Sequence, residues 1–303
     1  MEDKKVAIVM STYNGEKYIE EQLDSLFRQT YKNIEIYVRD DGSKDKTVEI
    51  LKKYETQGKI HLYAKENKGF IKSFFECLSY CEDADYYSFC DQDDVWYEDK
   101  VERAVNALNN MDNEKPLLYF SNYDYVNEQL EFISHSNTHK KGPSFTNAIV
   151  DCINMGTNTV INKIARDMMV NSNIEKSCGH DWTAYMIVSA FGDIYYDKVP
   201  TLKYRRTGNN VSGGGKGFIA FQIWRIKKFF INDYFKNVKE EIIEFNNIFG
   251  DKLTPDKKKV IDMFTSPKYS FTKAMKRVFY PHMFRQKMID EIFLRFIIFI
   301  GKL

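Results

Sequence analysis

The chain has 303 residues, of which 43% are hydrophobic and 29% charged, with 44 lysines and arginines against 43 aspartates and glutamates. This composition excludes a disordered chain, a collagen and a disulfide miniprotein, and the near-zero net charge gives no reason to expect nucleic acid as a partner. Five cysteines, an odd number with no CxxC pair, predict reduced thiols in a cytoplasmic protein.

Met1 to Lys5 runs straight into an apolar segment, so no signal peptide is expected, and no apolar run reaches the ~18 residues of a spanning helix. Val6-Ala-Ile-Val-Met10, closed by Ser11-Thr-Tyr-Asn-Gly15, reads as a buried strand. Ile19, Leu23, Leu26 and Phe27 recur at helical spacing, with Asn14 as the expected cap. Ile34–Val38 is the next strand and ends at Arg39-Asp-Asp-Gly-Ser43. A helix is predicted over Thr47–Tyr54, a strand over Ile60–Tyr63 and a helix over Phe70–Leu78. Tyr86–Cys90 is a strand that runs into Asp91-Gln-Asp-Asp94. A helix over Glu98–Leu108 and a strand over Leu117–Phe120 follow. Strand and helix thus alternate about four times in the first 120 residues, which predicts an α/β fold with a mostly parallel sheet and helices on both faces. From 145 to 215 the pattern is mixed. Gly208–Gly217 reads as a mobile loop, and from Phe218 onward the chain is aromatic, lysine-rich and helical in pattern.

In such a sheet, ligands bind beyond the carboxyl ends of the strands. Ser11–Gly15, Asp40–Ser43 and Asp91–Asp94 each follow a strand, so they should converge in space. Carboxylates crowded at a strand end repel one another unless a cation lies between them, and Mg²⁺ is commonly held by one or two carboxylates plus substrate phosphates. Asp94 also suits a helix cap, and Asp40-Asp41-Gly42-Ser43 a tight turn. Gly179-His-Asp-Trp182 is either an ordinary helix start or a site for a general base at Asp181. His180 is read first as a satisfied polar residue, and the aromatic share of 15% first as core. Arg205 and Arg206, ahead of a glycine-rich loop, suit phosphate recognition. Ser212–Gly217 is not a P-loop, since Lys216 is followed by Gly217. No GxGxxG follows the first strand, which argues against a nicotinamide or flavin enzyme.

Ser11-Thr-Tyr-Asn-Gly15, Arg39-Asp-Asp-Gly-Ser43 and Asp91-Gln-Asp-Asp-Val-Trp96 together resemble family 2 glycosyltransferases of the GT-A fold. With Asn154-Met-Gly-Thr-Asn158 and Gly179-His-Asp-Trp182, the chain is similar to the rhamnosyltransferase-like branch that builds bacterial cell-surface polysaccharides, over about residues 4 to 215. The resemblance implies a GT-A domain over 1–215, a helical extension over 216–303, and inverting transfer from a nucleoside-diphosphate sugar to an acceptor hydroxyl. It implies that Thr12, Tyr13, Asn14, Asp40, Asp41, Asp91, Gln92, Arg205 and Arg206 bind the nucleotide sugar. It assigns Mn²⁺ or Mg²⁺ to Asp93 with Asp91, the catalytic base to Asp181, and the acceptor to Trp96, His180 and Trp182. Thr207 stands where these relatives often carry a histidine, and Arg206 is expected to take over its grip on the diphosphate. The QxxRW pattern of processive synthases is missing, so one sugar per event is expected. The donor expected first is dTDP-rhamnose, and the acceptor a lipid-linked saccharide. The alternative is a UDP-hexose or UDP-N-acetylhexosamine donor on the same fold. A nucleotidyltransferase would open with a glycine-rich basic loop, which Ser11–Gly15 is not. A non-catalytic saccharide-binding protein would have lost Asp91, Asp93 or Asp181.

Residues 268–303 hold eight basic residues and two acids, Asp290 and Glu291, and Ile289, Ile292, Phe293, Phe296 and Ile300 share one helical face. Basic and amphipathic together suit the anionic inner face of a plasma membrane; packing onto the main domain and homodimerisation are the competing readings.

Overall fold

The computed structural model describes residues 4–207, 234–266 and 270–303. The predicted alternation is present: β1 (Val6–Thr12), α1 (Ile19–Phe27), β2 (Ile34–Asp40), α2 (Thr47–Thr56), β3 (His61–Ala64), α3 (Phe70–Tyr80) and β4 (Tyr86–Cys90), then α4 (Lys100–Asn109). These strands pair in parallel in the order β3-β2-β1-β4. The chain therefore builds outward from β1 to β3 and then returns to place β4 on the other side of β1. The crevice at a parallel sheet's carboxyl edge opens where the winding reverses in this way, which here is between β1 and β4.

The second half departs from the parallel plan. After a short β5 (Val95–Trp96) come β6 (Leu117–Val126), β7 (Phe132–His135), α5 (Phe145–Ala148), β8 (Thr159–Asn162), α6 (Lys163–Ser172), α7 (His180–Phe191) and β9 (Asp193–Arg205). β8 lies antiparallel between β4 and β6, β7 pairs antiparallel with β6, and β9 runs parallel to β6 and antiparallel to β5. β9 was not foreseen: its Asp, Lys and Pro content reads as loop. The pairing tolerates Pro200 because the β6–β9 register shifts beside it, between Ser121 and Asn122 and again before Asp124. Asn14 does not cap α1. That helix starts at Ile19 without a side-chain cap, and Asn14 takes a left-handed turn at φ 48°.

Alternation along β1 divides the core. Val6, Ile8 and Met10 pack toward α1 and α4, while Ala7 and Val9 pack toward α3 and α7. α7 is apolar on nearly all sides and buried from Trp182 to Ala190, as an element covered on every face must be. Its outer cover is C-terminal. Phe235, Val238, Ile242, Phe245 and Phe249 of α8 (Tyr234–Phe249) belong to the same buried cluster as Trp182, Tyr185 and Ile149. α9 (Pro255–Asp262), α10 (Phe271–Val278) and α11 (Met288–Phe299) continue that layer. The helical extension thus shares its core with the α/β domain; the expected boundary at 215/216 and the Gly208–Gly217 loop lie outside the described residues. All five cysteines are free thiols.

Candidate active site

The three polar strand ends meet at the β1–β4 crevice and are tied to one another. Thr12 Oγ1 donates to Asp40 Oδ2 at 2.9 Å, and Asp40 Oδ1 accepts from the backbone N–H groups of Gly42 and Ser43 at 3.1 and 2.9 Å. Ser43 Oγ donates to Asp40 Oδ2 at 2.5 Å and accepts from Asn14 N at 2.8 Å, while Asn14 Oδ1 accepts from Lys44 N. The first loop is joined to the fourth strand's end by Gln92, whose amide accepts from Tyr13 N at 2.8 Å and donates to Tyr13 O at 3.1 Å. A Cβ on Gly15 would lie 2.4 Å from Gln92 Oε1, so glycine is what lets the two loops close. The sheet therefore brings Thr12, Tyr13, Asn14, Asp40 and Gln92 together. Thr12, Asn14, Asp40 and Gln92 use their side chains to build the frame, and the Tyr13 ring is left exposed. Asp41 is directed at the loop before α3, where it accepts from Lys68 N, Gly69 N and the buried Arg39 guanidinium.

Asp91 and Asp93 stand partly exposed at this rim, as does Asp181 in the first turn of α7. Burial, then the neighbouring Asp93 and Asp181 charges, push the Asp91 carboxyl up to about 7. Burial also raises Asp93, against the opposing pull of Arg205. Burial raises Asp181 to about 6, although its Oδ1 accepts from Trp182 N at 2.9 Å. Burial and mutual repulsion of this kind are relieved when a hard divalent cation binds between carboxylates. Among the described residues no group of three or more His, Cys, Asp or Glu side chains forms a ready metal cage. Asp91 and Asp93 fit the other habit of Mg²⁺ and similar ions, which take one or two carboxylates and complete their shell with phosphates and water.

Several expected contacts are corrected by burial. Asp94 caps no helix: it is fully buried and accepts from Arg205 N at 3.1 Å. Arg205 is 2% exposed, and its guanidinium is committed to Asp93 O at 2.8 Å, to Glu128 O and to Glu21, above the Tyr18 ring. It braces the aspartate loop from behind and does not face a diphosphate. Arg206 is partly exposed, with its backbone N–H on Val126 O and its guanidinium 5.7 Å from the Tyr125 ring, next to where the described chain stops at Thr207. Trp96, His180 and Trp182, expected at the acceptor, are core residues. Trp96 lies under the buried Lys100 ammonium at 4.3 Å. His180 stacks on Phe74 at 3.9 Å and is pushed down to about 3, so it is a neutral ring. Trp182 donates to Ala148 O at 2.6 Å. A β-carbon on Gly156 would meet His180 Nε2 at 2.4 Å, so the Asn154–Asn158 motif makes room for the ring.

Two further residues hold Asp181 in place. Asn154 Nδ2 donates to Asp181 O at 3.3 Å. Glu241 of α8 accepts from Cys178 N and from Thr183 Oγ1, both at 3.2 Å, so it grips the chain on both sides of Asp181. Glu244, one turn later, accepts from Glu175 N and Lys176 N. Nothing local in the sequence marks Glu241. Only an acid on the buried face of an amphipathic helix hints at a partner.

Comparison with known proteins accords with this geometry. The family described as Glycosyl transferase family 2 matches residues 7–172. A dTDP-rhamnosyl transferase, RfbG of Shigella flexneri, is 30% identical over 224 residues, 70% of this chain and 76% of that protein. An uncharacterized glycosyltransferase of Rickettsia typhi is 30% identical over 211 residues, and the match spans 66% of this chain and 63% of the relative's length. Among solved structures, S. aureus TarS 1–349 in complex with UDP-GlcNAc superposes with a TM-score of 0.62 at 17% identity, covering 99% of this chain and 79% of that one. The fold is that of the GT-A glycosyltransferases.

Proposed function

The chain belongs to glycosyl transferase family 2, and on that premise we propose that it moves a sugar, with inversion, from a nucleoside-diphosphate donor to a hydroxyl of a saccharide acceptor. The proposed donor is dTDP-rhamnose, after the Shigella flexneri relative, and the proposed acceptor is a lipid-linked saccharide of a growing cell-surface polysaccharide. The observation that carries this reading is that Asp91 and Asp93 follow β4 at the carboxyl edge of the sheet and, like Asp181 in the first turn of α7, remain partly exposed there, while the other polar strand ends are tied into a frame around them.

Asp181 accepts the proton of the attacking acceptor hydroxyl. A carboxyl near 6 is ionised at neutral pH yet more basic than an ordinary aspartate, which suits that role. The rigid Tyr13–Gln92 staple and the Asp40 turn hold the nucleotide end of the donor in line with it. Asp93 and Asp91 would hold Mn²⁺ or Mg²⁺, which offsets negative charge on the departing diphosphate. Arg206, partly exposed over the Tyr125 ring, is the cation assigned to the diphosphate in this proposal.

Titration calorimetry with a donor panel tests the assignment. We expect dTDP-rhamnose to bind most tightly in Mn²⁺, and its affinity to fall about tenfold or more with EDTA or in Asp93→Asn, a loss in the range of one charge-assisted contact. Preference for a UDP-hexose or for UDP-GlcNAc, the ligand bound to TarS, would keep the reaction and discard rhamnose. No affinity for any nucleotide sugar would discard the reaction.

A further inference from the structure

The net charge of +1 conceals two oppositely charged parts. Residues 255–303 carry eleven lysines and arginines against four aspartates and glutamates, whereas residues 1–254 carry 33 against 39. The basic part also bears an apolar face whose side chains are exposed among the described residues. α11 is apolar around most of its circumference. Leu294, Ile297 and Ile298 on one side are fully buried in the core, while Ile289, Ile292, Phe296, Phe299 and Ile300 on the other side are 42–64% exposed. The Phe271 ring of α10, 57% exposed, meets Phe299 at 6.3 Å and widens the same face. A helix that is apolar all round belongs in a core or in lipid. The packed side of α11 satisfies half of that rule and leaves the other half open.

We propose that this face of α10 and α11 docks on an anionic lipid bilayer and lies flat in its interface. Three observations favour lipid over a protein partner. The first is charge. Lys273 and Lys276 are exposed on α10, and Lys287 and Lys302 are exposed on either side of α11. Of the two acids of α11, Glu291 is buried and accepts from Phe284 N, Arg285 N and Arg295, which leaves the half-buried Asp290 as the one acid of this helix near the face. The second is the cleft beside Phe279, which Lys257, Lys258, Lys259, Lys273 and Lys276 line together with Asp256 and Asp262, an excess of positive charge at one opening. The third concerns self-association. A symmetric dimer through this face would set the basic surface against its own copy, a like-charge contact that a bilayer with anionic head groups turns into attraction. At twelve residues α11 is about 18 Å long, and no described helix is long and apolar enough to cross a membrane. Apolar insertion to the acyl boundary with lysines at head-group level is the arrangement such a helix supports.

Co-sedimentation of the full chain with vesicles tests this without reference to catalysis. The chain should pellet with vesicles of phosphatidylcholine and phosphatidylglycerol in equal parts and remain in solution with phosphatidylcholine alone. Raising the salt should release it, a wild-type measurement that needs no variant. Lys273→Gln with Lys276→Gln should weaken the partition by about fivefold for each lysine neutralised. Ile292→Glu with Phe296→Glu should abolish it at unchanged melting temperature, since both side chains face solvent. Equal pelleting with neutral vesicles, or none with anionic ones, would overturn the proposal. A dimer in solution that Ile292→Glu with Phe296→Glu converts to a monomer, with no vesicle binding, would overturn it in favour of a subunit interface.

Discussion

Asp181 and Arg205 sit within one site and are expected to fail in different ways. As the proposed base, Asp181 must be ionised to take a proton, and burial raises it to about 6. The kcat/KM profile of the free enzyme should therefore rise with pH through about 6 and level off above it, because the active form is the deprotonated one. Asp181→Asn should remove that limb along with the rate. Arg205 is a brace: it joins α1 through Glu21 to the Asp93 and Glu128 carbonyls. Arg205→Ala takes the donor from the partly buried Asp93 and Glu128 carbonyls and frees the exposed Glu21, and should cost about 2 kcal/mol of stability, read as a fall in the urea midpoint. Arg205→Lys should recover little of it, since an ammonium cannot span three acceptors in one plane. Arg206→Ala should leave the midpoint within about 0.5 kcal/mol and instead raise the donor KM. Loss of stability in Arg206→Ala and none in Arg205→Ala would reverse these two roles.

The helix that carries the proposed base depends on an element more than fifty residues away in sequence. α8 covers α7 with Ile242 and Phe245 and grips the Asp181 loop through Glu241 and Glu244. Glu241→Ala should lower kcat about tenfold or more while donor affinity stays constant, because a small misplacement of a base costs rate before it costs binding. Glu241→Gln keeps one acceptor and should recover most of that rate; equal loss in both variants would point to charge, not position. This dependence could not be read from the residues. The strands β1, β2 and β4 announce themselves as apolar runs closed by turn residues, and Asp40, Asp91 and Asp93 stand at their ends. Asp181 was marked by a short motif resembling that of a known family. Its supports were not marked, because Glu241 and Asn154 act through contacts 63 and 27 residues away in the chain. Trp96, His180 and Trp182 mislead for the complementary reason: an aromatic beside an acidic motif looks the same whether it faces sugar or core. Here Gly156 and Phe74 make the core pocket that takes the His180 ring.

For the molecule as a whole, the α/β class and the convergence at one sheet edge follow from alternation in the first 120 residues. The antiparallel second half does not follow, because β9 carries Pro200 and charged residues and pairs only by shifting register against β6. The same long-range assembly that seats β9 brings Arg205 behind Asp93 and sets the Asp181 charge within electrostatic reach of Asp91, so the site is a property of the complete fold. The central claim is that this assembled set of carboxylates transfers sugar with Asp181 as the base. The most direct measurement is nucleoside-diphosphate release from the preferred donor in Mn²⁺, run side by side on the wild type and on Asp181→Asn with donor affinity measured for both. The account predicts release lowered by about a hundredfold or more in the variant, with the donor bound within a few-fold of wild type. Release at the wild-type rate by Asp181→Asn would contradict it.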